Sequence, residues 1–533
     1  MRATKLTVFI LTCSIVAVFF IGLGSCPLTE QSEARYGEVA WEMFRTGDYL
    51  TPRYNGITHF HKPPLFYWCI ALAMKILGNS EFSTRIPTTL AALLTLLLTA
   101  RLAVHGFKET KTTAFLSACF LGTSPFFWEM GRVAVTDMLV TLFTVVSLMA
   151  GWELLQGSKR QWDHALFWGA LGLNFLTKGP VGPFLVALIV GVYGISQKKS
   201  WRAFRPLPGL VLAAALGLPW YLWAVKSYPG LLSYFLGFQT VDRIFTTVHH
   251  RTGPLWFYIP VIVAGFLPWS LLLLAGCKKL EWNRLKSGPD LYLILWVVLP
   301  TVFFSLLGSK LPPYVLPVFP ALALLTARHV SELSFGQLRW PLKALGVLGL
   351  VAAGLIVFSP VPRLQVYAGA LGAAALLLLT VAMTDLVLGS KLERHVFIPT
   401  ALCTMLGFLT IAGLAYEKLA YQTAAPLSQA ILKQGKQHYE VAMYRRYLFG
   451  LPYYLHHRVV HVGHPRETQF ESAQTFEKYL YDDLPQYLKQ FRKGDEDRFL
   501  VLGRPEWEQN SRLFYEEVIF SGPEYVVLLH PKA

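Results

Sequence analysis

From about residue 6 to residue 416 the chain repeats one pattern, roughly twenty apolar residues and then a short polar break. A run of about eighteen or more apolar residues is long enough to cross a bilayer, and the bilayer forces its backbone hydrogen bonds to close inside a helix. The pattern predicts about thirteen spans, near 7–24, 83–104, 112–128, 137–155, 164–178, 180–196, 208–225, 255–276, 291–308, 313–327, 340–358, 366–388 and 395–416. The first run follows Arg2 and Lys5 as a signal peptide would, but it lacks a clean small-x-small cleavage site and is read as a retained span. Beyond residue 417 the periodicity changes. "YEVAMY", "HRVVHVG", "RFLVLG" and "EYVVLLH" read as strands, and "FEKYLYDDLPQYLKQFRK" as an amphipathic helix with a proline near its middle. The expected fold is a polytopic α-helical membrane protein, with residues 1–416 in the membrane domain and 417–533 in a soluble α/β domain.

The stretch 25–82 between the first two spans has its own pattern. "SEARYGEVAWEMFRTG" at 32–47 puts Tyr36, Ala40, Met43 and Phe44 on one helical face and keeps Glu33, Glu38, Glu42 and Arg45 off it, as in a helix lying in the membrane interface. Ser32 fits its N-cap and Gly47 its C-terminal stop. A second interfacial helix is expected to start at Pro63 or Pro64 and to carry "LFYWCIALAMKILG". Between the two lies "THFHKPPL", where the proline pair stiffens the chain and holds His61 and Lys62 at headgroup depth. A lysine there either receives a lipid phosphate or simply snorkels to water.

The formal charge of +16 could suggest a nucleic-acid partner, but its distribution excludes that reading. Lys and Arg recur in alternate short loops, from "KETK" near 108 to "GSKLERH" near 389, which is the asymmetry of cytoplasmic loops facing an anionic leaflet. The N-terminus is therefore expected in the cytoplasm, and an odd number of spans puts the tail outside. The outer side also receives 25–82, 124–136, the Lys178 turn, 226–254 and 309–313. Six cysteines do not make a disulfide framework; only Cys26 and Cys69 flank the first outer loop, where a single bridge is the one candidate.

"SEARYGEVAWEMFRTGDYLTPRYNGITHFHKPPLFYW" resembles the first outer loop of the bacterial aminoarabinose–lipid A transferases, within the wider protein O-mannosyltransferase-related membrane glycosyltransferases of GT-C type. "NFLTKGPVG" at 174–182, "HHRTGPLWFYIPVIVAGFLPWS" at 249–270 and "SKLPPYVLPVFPALALL" at 309–325 match the same family in the same order. The resemblance implies sugar transfer, typically with inversion, from a polyprenyl-phosphate carrier such as undecaprenyl phosphate. The acceptor would be a lipid A-like lipid, a glycan or a protein at the outer face of the bacterial inner membrane. It implies Arg35 and Lys62 as ligands of the carrier phosphate with Tyr36 beside them, and Lys178, Lys310 and Tyr314 as further substrate contacts. The bland alternative for each cation is a headgroup anchor at a helix end.

The family's acidic pair, Asp then Glu, falls on Ser32 and Glu33. Serine cannot serve as a general base, so the catalytic carboxylate is either Glu33 or Asp137, with Glu30 as a further substitute. Asp137 has a plain reading as a first-turn acid behind a Thr136 cap, but an acid beside hydrocarbon is costly and points to function. His61 stands where the family often has a glutamate that shares a structural metal with a later histidine. The resemblance thus implies a candidate zinc site of His61 with His249 or His250, the alternative being ordinary polar loop residues. A second whole-protein reading is a non-catalytic carrier-lipid binding or transport protein. A transporter should place its charges on broken helices at mid-membrane, whereas here they gather in outer loops.

Overall fold

The computed structural model describes residues 5–30, 32–241, 253–277, 286–330, 394–415 and, with gaps, 423–530, together with a few positions between 347 and 358. The chain forms two compact units, one of Met1–Leu23 with Arg85–Leu419 and the other of Gly24–Thr84 with Ala420–Ala533.

In the first unit, helices occupy the apolar runs, among them Lys5–Phe20, Asp137–Leu155, Gln161–Lys178, Val181–Ser196, Gly288–Leu306 and Arg394–Ala415. Among the described residues, Glu81–Gly106, Asp137–Leu155 and Gly288–Leu306 are long and apolar enough to cross a membrane, and two bent pairs raise the number to five. The pairs are Trp201–Gly217 with Pro219–Ser227, bent by 49°, and Tyr258–Gly265 with Trp269–Gly276, bent by 106°. The runs 208–225 and 255–276, expected as single spans, are therefore each broken. Pro219 opens the second half of one and Pro268 stands just before the second half of the other. The run 112–128 likewise divides into Lys111–Gly122 and Pro125–Met130. The run expected from 313 begins as a 3-10 turn, Pro312–Val318, because three prolines within seven residues deny it α-helical hydrogen bonds, and Phe319–His329 continues it as α-helix. The spans expected near 340–358 and 366–388 fall essentially outside the described residues.

Aromatic packing fixes the centre of this unit. Trp152 and Tyr193 sit 5.1 and 5.2 Å from Tyr292 between ring centroids, the Tyr292 hydroxyl donates to the Leu148 carbonyl at 2.8 Å, and Trp296 Nε1 donates to the Pro317 carbonyl at 2.8 Å. Buried polar tips are thus paired while their rings fill the core. The result ties Asp137–Leu155, Gly288–Leu306 and Pro312–Val318 into one frame.

The second unit joins the outer loop to the tail. The helix Glu33–Thr46 ends at Gly47, whose φ of 74° and N–H to the Met43 carbonyl make the left-handed stop. Ser32 occupies the N-cap position but makes no side-chain cap bond. Strands β1 (Arg53–Tyr54) and β2 (Ile57–Thr58) form a hairpin whose turn residues Asn55 and Gly56 have φ of 52° and 78°, the left-handed pair that an Asn-Gly turn supplies. Pro64 caps the next helix, Leu65–Leu77. The first helix is not an interfacial helix with an open acidic face. Glu33, Glu38 and Glu42 are buried, because Leu65–Leu77 and the tail helix Gly450–Leu455 pack against it. No disulfide joins Cys26 to Cys69.

The tail is a six-stranded sheet with helices. Its strands are β3 (Tyr439–Tyr444), β4 (Val460–Val462), β5 (Leu480–Tyr481), β6 (Asp497–Gly503), β7 (Glu517–Ser521) and β8 (Tyr525–His530), in the order β5-β4-β3-β6-β8-β7. The first four are parallel and the last two pairings antiparallel. Within the stretch expected as one long helix, Leu484–Phe491 is helical, whereas Leu480 and Tyr481 pair with His461 and Val462 as an edge strand; its start at 476–479 lies outside the described residues.

Candidate active site

Two groups of the expected residues stand out, one in each unit. In the first, Asp137 opens the helix Asp137–Leu155 and Lys178 closes the helix Gln161–Lys178. The helices pack against each other, and Lys178 Nζ lies 2.5 Å from Asp137 Oδ1, with only 11% and 13% of the two side chains exposed. Each charge matches its own helix end, the carboxylate at a positive N-terminus and the ammonium at a negative C-terminus. Lys178 Nζ also stands 4.8 Å above the Tyr314 ring. Tyr314, expected as a substrate contact, thus offers its ring face to the ammonium. Lys310 is buried and its Nζ donates to the Leu307 carbonyl at 2.5 Å, a lysine capping the end of Gly288–Leu306.

Sequence reasoning missed the brace beneath this pair. Asn174 is fully buried four residues before Lys178, and its Nδ2 donates to Thr144 Oγ1 at 3.2 Å, stitching the two helices together. A Cβ on Gly182 would lie 2.1 Å from Asn174 Oδ1, so only glycine fits there. The signal was an amide inside an apolar run with a glycine eight residues on.

In the second unit the hairpin leads directly into His59, His61 and Lys62. The His59 and His61 rings stack at 4.3 Å, and His59 is buried. Its pKa is held well below the ordinary imidazole value, first by burial and then by the positive charges of His61, Arg35 and Lys62. That places Arg35 and Lys62 in one cationic neighbourhood. Arg35 is half-buried, with its guanidinium 5.5 Å from the Tyr36 ring and 5.4 Å from the Phe449 ring. Tyr36 itself is buried against Phe66 and Tyr67 at 5.2 and 5.7 Å. Glu33 points inward. Its Oε2 accepts from Thr29 N at 3.2 Å and Thr29 Oγ1 at 3.1 Å, and the residue is fully buried, so in this conformation it works as a helix-end brace. Glu30 is likewise occupied, accepting main-chain N–H groups of the tail.

His249 and His250 lie outside the described residues, and among the described residues no group of three metal-ligating side chains occurs.

The structure superposes on ArnT from Cupriavidus metallidurans bound to undecaprenyl phosphate with a TM-score of 0.88, covering 99% of this chain and 98% of that one at 23% identity. The same protein in its apo state gives 0.84. The fold is therefore that of the GT-C membrane glycosyltransferases, a multi-pass, mostly helical architecture. Residues 61–223 match the family model described as dolichyl-phosphate-mannose-protein mannosyltransferase. The undecaprenyl phosphate-alpha-4-amino-4-deoxy-L-arabinose arabinosyl transferase of Erwinia tasmaniensis is 30% identical over 435 residues, 77% of this chain and 76% of that protein. Its namesake in Enterobacter sp. strain 638 is 33% identical over 336 residues, and there the match spans 59% of the relative's length. The chain belongs to this family of arabinosyl transferases.

Proposed function

We propose that the protein transfers a sugar from a polyprenyl-phosphate carrier to an acceptor at the outer face of the inner membrane, and that it does so through Asp137 and Lys178. The observation that carries this reading is their ion pair, built from two helix ends and braced by Asn174, in a chain of this family. The names of the relatives make undecaprenyl phosphate aminoarabinose the first donor to test, and a lipid A-like lipid is the first acceptor that the sequence resemblance implies.

Transfer breaks the bond between the anomeric carbon and the carrier phosphate and forms one to an acceptor oxygen on the opposite face. The carrier phosphate departs with the bonding electrons. Preorganised cations stabilise that charge without having to reorganise, which is the largest lever such a site has. Lys178 is such a cation, oriented by Asp137 on one side and Tyr314 on the other. If the acceptor is a hydroxyl, its proton needs a base, and Asp137 becomes available once Lys178 turns to the phosphate. If the acceptor is already an ionised phosphate, no strong base is required and Asp137 orients Lys178 alone. Arg35 and Lys62 are assigned to the carrier's phosphate. In support, no carbonyl or carboxylate among the described residues accepts a hydrogen bond from the Arg35 guanidinium, so its donor fork suits an anion. Glu33 is assigned to positioning rather than base catalysis, since Thr29 holds its carboxylate.

The same reading places the N-terminus in the cytoplasm and residues 417–533 in the periplasm, with thirteen spans in all, as the alternation of basic loops supports. Purified protein incubated with labelled undecaprenyl phosphate aminoarabinose and lipid A should release free carrier phosphate and modify the lipid. Carrier binding with no transfer to any acceptor would return the protein to the class of lipid binders.

A further inference from the structure

We infer that the tail holds Arg35 in place, so that Phe449 is a positioning residue for the carrier phosphate; this rests on the phosphate role proposed for Arg35. The geometry begins at Glu30. Its Oε1 accepts from Ala424 N at 3.2 Å and Gly450 N at 3.0 Å, and its Oε2 reaches Gly450 N at 3.2 Å. Ala424 caps the helix Ala425–Leu432 and Phe449 caps the helix Gly450–Leu455, so one carboxylate from the outer loop gathers the N-termini of two tail helices. A Cβ on Gly450 would fall 2.6 Å from Glu30 Oε1, and the glycine leaves the carboxylate room to approach.

Phe449 is the residue fixed by that latch. It is 7% exposed, packs 4.8 Å from the Tyr54 ring, and stacks on Tyr447 at 5.8 Å. Its own face then meets the Arg35 guanidinium at 5.4 Å, with Tyr36 meeting it at 5.5 Å. Arg35 therefore touches two rings, one from its own helix and one from the tail. Ring contacts hold a guanidinium by its plane and leave its N–H edge open, whereas a carboxylate partner would consume that edge. The tail contributes the ring rather than a ligand, and it acts on the chemistry through the orientation of a cation some four hundred residues earlier in the chain (Arg35 against Phe449).

Two measurements on the detergent-purified full chain test this. The first is the rate of phenylglyoxal modification at Arg35, followed by peptide mass spectrometry. Phe449→Leu should raise that rate about fivefold and Phe449→Tyr should restore it, the size expected from losing one ring contact. Unchanged reactivity in Phe449→Leu overturns the inference, whatever the enzyme does with lipid. The second is binding of undecaprenyl phosphate by native mass spectrometry. Phe449→Leu should weaken it about fivefold, and Arg35→Ala with Phe449→Leu should be no weaker than Arg35→Ala alone, because the ring acts only through the arginine. Additive losses also overturn it. If the parent protein binds no undecaprenyl phosphate, the functional reading fails, while the labelling result still decides whether the tail holds Arg35. Thermal unfolding of Phe449→Leu within a few degrees of the parent separates misplacement from unfolding, and recovery of both readouts in Phe449→Tyr makes the same distinction.

Discussion

At the scale of single residues, charge placement dominates. The Asp137–Lys178 pair is nearly dehydrated, so removing one partner leaves the other as an uncompensated charge. Asp137→Asn should cut turnover by about a hundredfold or more while undecaprenyl phosphate still binds within a few-fold of the parent. Full activity in that variant would remove Asp137 from the mechanism. Lys178→Met should lose turnover too, and the double variant should be no worse than the poorer single one, since the two act as a unit. Glu38 and Glu42 make a different case. They lie one turn apart on a buried helix, each with a carboxyl oxygen that has no hydrogen-bond partner, and Gly56 N donates to Glu42 Oε1 at 2.6 Å. Burial, reinforced for Glu38 by the charge of Glu42, raises both above the ordinary value of 4.5. The folded state then keeps protons that the unfolded state gives up, so their contribution is full below about pH 4.5 and is lost as pH climbs above it. Thermal unfolding measured from about pH 5 to pH 9 should show a falling Tm, and Glu38→Gln should flatten the slope. An equal slope in that variant would locate the proton elsewhere.

At the scale of elements, the helix Gln161–Lys178 delivers its lysine only while Asn174 stays seated against Thr144. Gly182→Ala drives a methyl into that amide and should cost roughly 1–3 kcal/mol together with most of the activity. Adding Asn174→Ser removes the obstruction and should recover part of the Tm, whereas no recovery would mean the glycine matters for another reason. Elements were legible in the sequence where one local signal dominated. The Asp137–Leu155 helix, the Gly47 stop and strands β3, β6 and β8 follow from apolar run length, left-handed glycine geometry and alternation. The burial of Glu33, Glu38 and Glu42 was not legible, because it depends on Thr29, the hairpin turn at Gly56, the helix Leu65–Leu77 and the tail helix from Gly450 all closing around one helix. The kinked runs carried their prolines in plain view, yet the hydropathy window averages over them. The Asn-Gly pair at 55–56 is a hairpin signal in its own right, placed among the more conspicuous prolines.

At the scale of the whole molecule, the alternation of basic loops is the quantity that assigns sides. In a cysteine-free background, a cysteine in place of Lys62 should react with a membrane-impermeant maleimide added outside the inner membrane. One in place of exposed Lys159 should react only after the membrane is opened. The reverse pattern would invert the topology and remove the donor chemistry from the outer face. The cationic groups were legible as residues, since the motifs name Arg35, Lys62 and Lys178. What Arg35 and Lys178 touch was not, because Phe449 reaches the first and Asp137 and Tyr314 the second from distant segments.

The second unit is discontinuous in the chain, and this bears on its synthesis. Gly24–Thr84 leaves the ribosome roughly 340 residues before Ala420, which at about 5–20 residues per second is a wait of about 17 to 70 s. Throughout that wait Glu30 lacks the amides of Ala424 and Gly450, and Asn55 lacks Val459, with which it exchanges hydrogen bonds of 2.7 and 2.8 Å. The nascent loop must therefore persist half-made, with Glu30 and Asn55 turned to water, until the tail has been synthesised.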